Sequence, residues 1–453
     1  MVFSSITFLF VFLPITLFLY YIGKNITYRN VILLIFSLLF YAWGEPVYVV
    51  LMLLSILFNY YIGRDLGQKR SKGTLIFGVV FNLLMIGYFK YAGLLVDSVY
   101  QLTGVALKIR KVALPVGISF YTFQAMSYVI DVYRGNCKAQ EKFVPFAAYI
   151  TMFPQLIAGP IVKYTDIEVQ LAQRKIRKSE FREGVFIFIR GLAKKVILAN
   201  CIGKLHETVI GHFQMSVLTA WIGAIAYTIQ IFNDFSGYSD MAIGLGKMLG
   251  FEFCINFDRP YSALSVTDFW RRWHISLSTW FREYVYIPLG GNRVSKAKHI
   301  RNLLVVWMLT GLWHGAAWHF VLWGLYYGVL LILEKTVFGR IQEKLPKMLR
   351  RLMTLFIVII GWVLFFSPSL QDALTYIGAM FGTGGTLVDN DGLFYLCGYG
   401  LLMIVGFLPA MIRFERKRRA NSVVRWIIYL GLFVISVACL VSESYNPFLY
   451  FRF

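Results

Sequence analysis

Long apolar runs separated by short polar loops dominate the hydrophobic pattern of this chain. A helix needs about 20 apolar residues to cross the bilayer core, so the longer runs predict transmembrane helices. The shorter runs predict tilted, re-entrant or interfacial segments, and together the pattern predicts an all-α polytopic membrane protein with about 11 spans. The candidate spans are residues 5–22, 31–43, 47–63, 74–97, 113–130, 143–162, 184–201, 216–232, 303–333, 353–367, 393–412 and 423–441.

Composition agrees with this interpretation. Of the 453 residues, 58% are hydrophobic and 15% are charged, whereas a soluble chain carries about 25% charged residues. The sequence shows no internal repeat, no low-complexity tract and no linker long enough to separate two soluble domains. We therefore expect residues 1–453 to form a single membrane domain without an appended soluble catalytic module.

The formal net charge of +22 gives information about membrane topology rather than about binding partners. Basic residues cluster beside the apolar runs, as the positive-inside rule requires of cytoplasmic loops. This pattern favours contact with anionic lipid headgroups and disfavours nucleic acid. Because successive spans cross the membrane in opposite directions, placing these loops in the cytoplasm predicts a multi-pass protein of the inner, cytoplasmic membrane with both termini outside. The basic residues are Lys69, Arg70, Lys72, Arg174, Lys175, Arg177, Lys178, Lys296, Lys298, Arg301, Arg413, Arg416, Lys417, Arg418 and Arg419.

Residues 268–284 carry an aromatic stripe at helical spacing. Taken as one amphipathic helix capped by Thr267 or Asp268, the segment is predicted to lie in the membrane interface with its aromatic side chains inward. His274 falls on the stripe, where a catalytic role competes with that of a hydrogen-bonded structural histidine. The stripe comprises Trp270, Trp273, His274, Leu277, Trp280, Phe281 and Tyr284, opposite Arg271, Arg272, Ser278, Thr279, Arg282 and Glu283. The following run, 288–293, predicts a turn.

A second histidine, His314, lies within an apolar run at membrane depth, where ionisable side chains are rare and usually functional or paired. Gly311, Gly315 and Ala316 surround it, so other backbone can approach closely. In a continuous helix His319 would lie about 140° away, so the two could not serve one reacting group. A neutral imidazole in an apolar pocket is a suitable general base. A helix–helix hydrogen bond is the alternative role.

A third polar cluster follows the run at 216–232. Asp234, Ser236, Tyr238 and Asp240 lie next to a span, where a carboxylate must meet water, a cation or a donor. The alternative is that both acids are bonded to basic neighbours or helix ends. No His-Glu-x-x-His and no Cys-x-x-Cys motif is present, so no metal site is expected. The sequence also lacks the Gly-x-Ser-x-Gly nucleophile elbow and a Walker A loop.

Taken together, several motifs resemble the membrane-bound O-acyltransferase family, most closely its alginate O-acetyltransferase branch, typified by AlgI. The resemblance runs from end to end of the chain. Its motifs are 1–5 (Met-Val-Phe-Ser-Ser), 115–124, 131–135, 153–160, 191–200, 235–240, 268–274 (Asp-Phe-Trp-Arg-Arg-Trp-His), 284–293, 311–315 (Gly-Leu-Trp-His-Gly) and 446–453. Asn233 departs from the branch, which usually has an aromatic residue there.

The resemblance implies a ring-like helical bundle in which a funnel from each side meets a buried catalytic histidine. His314 matches that residue, and His274 matches a second motif position at which eukaryotic relatives often carry Asn. It further implies an O-acyltransferase that moves acetyl from cytoplasmic acetyl-CoA across the membrane for O-acetylation of an extracytoplasmic polysaccharide. Because the chain has no serine-hydrolase motif, a separate extracytoplasmic SGNH-type acetyltransferase is the expected partner.

Within this hypothesis His314 acts as general base or acyl relay, and His274 orients it or stabilises the thioester oxyanion. Alginate, acetylated cellulose, another exopolysaccharide and peptidoglycan remain open as acceptors. A transporter of polysaccharide or lipid-linked sugar is the alternative from another class, disfavoured by the lack of half-to-half similarity. The residues expected to bind substrate or acyl donor are Trp270, Arg271, Arg272, Trp273, Trp313, Asp268, Asp234, Ser236, Tyr238 and Asp240.

Overall fold

The computed structural model describes residues 1–106, 112–157, 159–212, 215–383, 385–412 and 422–442. Throughout these ranges the regular structure is helical, as predicted, and no strand occurs in them. The described residues form two compact units that are interleaved in sequence. The first unit comprises residues 1–190 and 238–254, and the second comprises residues 191–237 and 255–453.

Within the described ranges, the first unit contains helices α1 to α9, most of α10 and the end of a longer helix. Its core is aromatic: Phe3 lies 5.0 Å from Phe8 and 5.6 Å from Phe40, measured between ring centroids, and stacks on Tyr238 at 4.5 Å. The helices are α1 (Leu13–Ile22), α2 (Ile26–Ala42), α3 (Tyr48–Lys69), α4 (Lys72–Ile86), α5 (Ala92–Thr103), α6 (Ile118–Arg134), α7 (Phe143–Thr151), α8 (Phe153–Leu156), α9 (Tyr164–Ala172) and α10 (Lys178–Ala193).

The second unit contains the remaining helices. They are α11 (Cys201–Ile210), α12 (Val217–Leu249), α13 (Val266–Arg272), α14 (Ile275–Phe281), α15 (Lys296–His314), α16 (Trp318–Leu333), α17 (Gly339–Glu343), α18 (Lys347–Phe366), α19 (Leu370–Met380), α20 (Asn390–Met411) and α21 (Ser422–Ser442). Residues of α12 up to Gly237 belong to this unit and those from Tyr238 to the first. Short π-helical turns occur at Phe8–Phe12, Gly87–Tyr91, Lys194–Asn200, Arg282–Tyr286 and Glu334–Phe338.

Six helical segments in the described ranges are long and apolar enough to cross a membrane, and two shorter apolar helices, Phe8–Ile22 and Ile26–Ala42, accompany them. The multi-pass prediction is therefore confirmed, whereas the number of about 11 spans stays a prediction. The six are Tyr48–Lys69, Lys72–Thr103, Trp318–Phe338, Lys347–Phe366, Asn390–Met411 and Val423–Ser442.

Two of the predicted spans are not single helices. The run 143–162 divides into α7 and α8 at Met152, whose backbone (φ −45°, ψ 108°) leaves the helical region. The run 303–333 divides into α15 and α16, because Gly315 and Ala317 are extended. Apolar periodicity does not report such breaks, since both halves remain buried.

The pair α15 and α16 is held unusually close by glycine. A Cβ on Gly311 would lie 2.2 Å from the carbonyl oxygen of Phe320, and one on Gly324 would lie 2.2 Å from that of Trp307. Only residues without a side chain permit this approach of two helix backbones. The close approach fixes the end of α15, which carries His314.

Candidate active site

His274 lies between α13 and α14 in the left-handed region, at φ 45° and ψ 55°. The prediction of one continuous helix over 268–284 is therefore wrong. The break is stabilised from another part of the chain, because the Asp258 N–H donates to the Arg272 carbonyl (2.9 Å) and the Ile275 N–H donates to the Asn256 carbonyl (3.0 Å). A left-handed residue other than Gly is strained, and such strain often marks a functional position.

The start of α13 also differs from the prediction. Ser265, rather than Thr267 or Asp268, is the N-cap, and its hydroxyl accepts the Asp268 N–H at 3.0 Å. Asp268 in turn accepts the Leu264 N–H at 3.0 Å. The Glu334 carboxylate accepts the N–H groups of Val266 (2.7 Å) and Thr267 (3.2 Å). These bonds satisfy the open N–H groups of the first turn and anchor the segment that leads to His274.

The predicted aromatic stripe is confirmed despite the break. All seven of its members are buried, whereas Arg271 and Arg282 on the opposite side are exposed. Two short helices and a π-helical turn, Arg282–Tyr286, thus bury the same side chains that one helix would have buried. The predicted turn at 288–293 is also present, with Gly290 at φ 99° and Gly291 at φ 57°.

His314 is the last residue of α15 and is 7% exposed. Because the chain is extended at Gly315 and Ala317, His319 belongs to α16. The predicted 140° separation on one helix is therefore wrong, and the two histidines lie on different helices. His319 packs on Phe320 with ring centroids 4.1 Å apart.

The structure brings His274 and His314 together around Trp313. The indole centroid lies 5.6 Å from the His274 ring and 5.1 Å from the His314 ring. Other rings complete the surroundings: Phe235 is 4.7 Å from His274, and Trp323 is 5.0 Å from His314. The imidazoles therefore lie in an aromatic environment in which water is scarce, as a general base in an apolar pocket requires.

Electrostatics keep His274 neutral. Its side chain is 1% exposed and lies outside the six candidate spans. Burial lowers the pKa of its imidazole well below the usual value, and the nearby His314 lowers that pKa further. A neutral ring has one nitrogen that donates and one that accepts a hydrogen bond.

The acidic cluster predicted at 234–240 is divided. Asp234, in the second unit, pairs with Lys195 at 2.5 Å, and the hydroxyl of Ser236 lies 3.5 Å from Lys194 Nζ. Tyr238 and Asp240 belong to the first unit, where Asp240 forms a bidentate pair with Arg190 (2.9 and 3.1 Å). Both acids are thus bonded to basic neighbours, the alternative that the sequence left open.

The remaining predicted binding residues separate into two groups. Trp270 and Trp273 lie in the aromatic core of the second unit, where Trp270 is 4.8 Å from Tyr327 and Trp273 is 4.8 Å from Trp362. Arg272 is bound by Asp268 at 2.8 Å. Arg271 is exposed, so of the two arginines it is the one available to an anionic ligand.

Sequence reasoning missed Asn256, whose side-chain oxygen lies 3.2 Å from His274 Nδ1. It is separated from His274 by 18 residues and carries no recognisable motif. Asn233, the departure from the branch pattern, has a structural explanation. Its amide donates to the carbonyls of Ile229 and Gly406, each at 2.9 Å, and so ties α12 to α20.

The fold and this site define a multi-pass helical membrane protein with a buried pair of histidines. A family model described as MBOAT, membrane-bound O-acyltransferase family, matches residues 139–375. A probable alginate O-acetylase AlgI of Pseudomonas putida is 39% identical over the full length of both chains. Another, of Pseudomonas aeruginosa, is 44% identical over 85% of this chain and 75% of its own.

A peptidoglycan O-acetyltransferase of Helicobacter pylori is 34% identical over 85% of this chain and 80% of its own length. The chain therefore belongs to the membrane-bound O-acyltransferase family and is an O-acyltransferase. The family prediction made from the sequence motifs is confirmed.

Proposed function

We propose that this enzyme transfers acetyl groups from cytoplasmic acetyl-CoA across the inner membrane for O-acetylation of an extracytoplasmic polysaccharide, alginate or a similar exopolysaccharide. The observation that carries the proposal is the buried His274–Trp313–His314 arrangement in a chain that resembles a probable alginate O-acetylase over its whole length. Two buried imidazoles that share an indole neighbour suit acyl transfer to a hydroxyl, because such a site offers groups that can accept and return a proton.

In this mechanism His314 acts as the general base. It removes the proton of the acceptor hydroxyl while the hydroxyl oxygen attacks the thioester carbonyl carbon. The carbon–sulfur bond then breaks, the new carbon–oxygen ester bond remains, and the proton passes from the imidazolium to the departing thiolate. The alternative is a covalent acetyl-imidazole at His314. A carbon–nitrogen bond then forms as the carbon–sulfur bond breaks and the thiol leaves, and in a second step the ester carbon–oxygen bond forms as the carbon–nitrogen bond breaks, which returns the imidazole.

His274 assists this step in one of two ways. It accepts a hydrogen bond and so orients the proton-transfer group, or it donates one to the thioester oxyanion. Arg271 contributes on the exposed side of α13 by attracting the phosphates of the acyl donor. Lys335, also exposed, lies within electrostatic range of Arg271, and the two cations reinforce each other's attraction for an anion.

Polymer acetylation requires a second protein in this proposal. This chain hands acetyl at the outer face to a separate SGNH-type acetyltransferase, which passes it to the polysaccharide. We expect this partner to contact the outer face near Tyr445 to Phe453. That segment lies outside the described residues, as does the basic loop from Arg413 to Arg419. The extracytoplasmic location of both termini stays part of the proposal.

The experiment is a reconstitution in liposomes with radiolabelled acetyl-CoA supplied on the cytoplasmic face. Alginate oligosaccharides or peptidoglycan fragments are supplied on the other face, with or without a purified SGNH-type acetyltransferase. We expect label in alginate only when both proteins are present, and none with His314→Gln. Label in peptidoglycan alone would assign the acceptor named for the Helicobacter pylori relative. Rapid alginate labelling without the partner would overturn the relay.

A further inference from the structure

The side-chain amide oxygen of Asn256 contacts three polar groups beside and within His274. It accepts the backbone N–H of Ser276 at 3.2 Å and the Ser276 hydroxyl at 2.9 Å, and it lies 3.2 Å from His274 Nδ1. Asn256 and His274 are each 1% exposed. Water therefore does not compete for this oxygen, and its three protein contacts decide its chemistry.

The Ser276 contact identifies the atom. A backbone N–H can only donate, so the Asn256 atom that faces it is the carbonyl oxygen and not the amide nitrogen. An amide oxygen can only accept. The proton of the neutral His274 ring therefore lies on Nδ1, and Nε2 carries the lone pair.

The backbone of Asn256 acts on the same residue. Its carbonyl accepts the Ile275 N–H at 3.0 Å, directly after the left-handed His274. Asn256 thus holds both the strained main chain and the imidazole ring of His274. A conformation that costs about 1–2 kcal/mol persists only where the surrounding contacts over-determine it.

We propose that Asn256 is a positioning residue that holds His274 in the Nδ1-protonated form, so that Nε2 enters the reaction as a hydrogen-bond and proton acceptor. This inference rests on the proposed function and makes it more specific. A neutral ring whose only N–H is bonded to Asn256 has no N–H left for an oxyanion. Of the two roles open to His274, the structure assigns the accepting one, toward the acceptor hydroxyl or the His314 ring.

Of the described residues, His314 lowers the pKa of His274 through its charge, whereas the neighbouring rings of Phe235 and Trp313 are uncharged. Neutrality of the ring therefore depends on burial and on the neutral amide of Asn256. A carboxylate at position 256 would keep the hydrogen bond and favour the charged imidazolium.

The direct test is spectroscopic and needs no acetyl transfer. The full-length protein, labelled with ¹⁵N-histidine and reconstituted in liposomes, is compared with His274→Asn, whose missing signals identify His274. We expect a protonated Nδ1 and an unprotonated Nε2 in the unmodified protein and in Ser276→Ala, which retains the Asn256–His274 contact. In Asn256→Leu, which removes the acceptor, the proton should appear on Nε2.

Kinetics provide the second readout. Asn256→Leu should lower kcat by at least about tenfold, less than the roughly 100-fold lower range for loss of a general base because the imidazole itself remains, with less than about a threefold change in KM for acetyl-CoA. Asn256→Asp should move the acid limb of the kcat profile upward by about one to three pH units, because His274 must then lose a proton to act. A merely structural residue would lower the amount of folded protein without moving this limb.

A proton on Nε2 in the unmodified protein would overturn the inference. Unchanged kcat and an unchanged acid limb in both Asn256 variants would do the same. If the unmodified protein transferred no acetyl while its His274 signals showed the Nδ1 proton, the proposed function would fail and the assignment of the tautomer would stand.

Discussion

Lys195 and Asp234 form an ion pair of 2.5 Å in the interior of the second unit, with side chains only 2% and 3% exposed. Lys195 also donates to the Asn200 amide oxygen at 2.9 Å. Taking two charges out of water is costly, and the mutual attraction repays that cost only while both partners are present. The pair therefore constrains α12 against the π-helical turn Lys194–Asn200 before any role toward substrate is considered.

Asp234→Ala should destabilise the protein by about 3–5 kcal/mol, because Lys195 is left as a buried charge without its carboxylate. Thermal unfolding in detergent measures this loss. The matched variant Lys195→Met with Asp234→Leu replaces both charges by apolar groups and should recover most of the stability. A stable Asp234→Ala protein with reduced acetyl transfer would instead assign Asp234 to substrate binding.

His314→Gln should lower acetyl transfer by at least about 100-fold, the lower range for loss of a general base, while the protein remains folded and inserted. His319→Gln is the matched control, since His319 lies on α16 rather than at the end of α15. We expect it to retain the rate of the unmodified enzyme. Equal losses in the two variants, or none in His314→Gln, would contradict the assignment of His314.

His274→Asn and His274→Ala should both lower kcat by at least about tenfold, because either removes the imidazole. They should differ in stability. Asn adopts the left-handed conformation more readily than Ala, so His274→Asn should unfold at the higher temperature. Near-normal turnover by either variant would reduce His274 to a structural residue.

The pH dependence of stability follows from the lowered pKa of His274. The unfolded histidine has a pKa of about 6.5, so below that pH the unfolded chain takes up a proton that the folded chain does not. His274 therefore leaves the free energy of unfolding unchanged above about pH 6.5 and lowers it progressively as the pH falls below that value. The thermal unfolding temperature should therefore decrease more steeply between pH 7 and pH 5 for the unmodified protein than for His274→Asn. Parallel curves would show that the ring is not held neutral.

Arg271→Glu should raise the KM for acetyl-CoA several-fold, with little change in kcat, because an exposed cation that attracts phosphates is replaced by an anion. The difference should shrink at high salt, since screening weakens surface electrostatics. Arg272→Glu should instead lower thermal stability, because it replaces the ion pair with Asp268 by two neighbouring carboxylates that repel each other. A salt-independent KM in Arg271→Glu would point to a lipid contact.

Local sequence patterns were enough to predict the class of protein and to single out both histidines. Runs of apolar residues specify membrane helices because, inside the bilayer, backbone N–H and C=O groups can form hydrogen bonds only with one another. The stripe from Trp270 to Tyr284 was buried as its spacing indicated, and the motifs around His274 and His314 indicated the family. Each of these signals is local, or is repeated often enough along the chain to be read without coordinates.

Other features of the site depend on contacts between residues that are distant in the sequence. Contacts from residues 256–258 hold the chain on both sides of the break at His274 and bond its ring, and hydropathy carries no signal of them. The extended residues after His314 likewise put His319 on another helix. A hydrogen bond between residues 18 positions apart depends on the path of the whole chain, and local propensity is routinely overridden where such contacts satisfy buried polar groups.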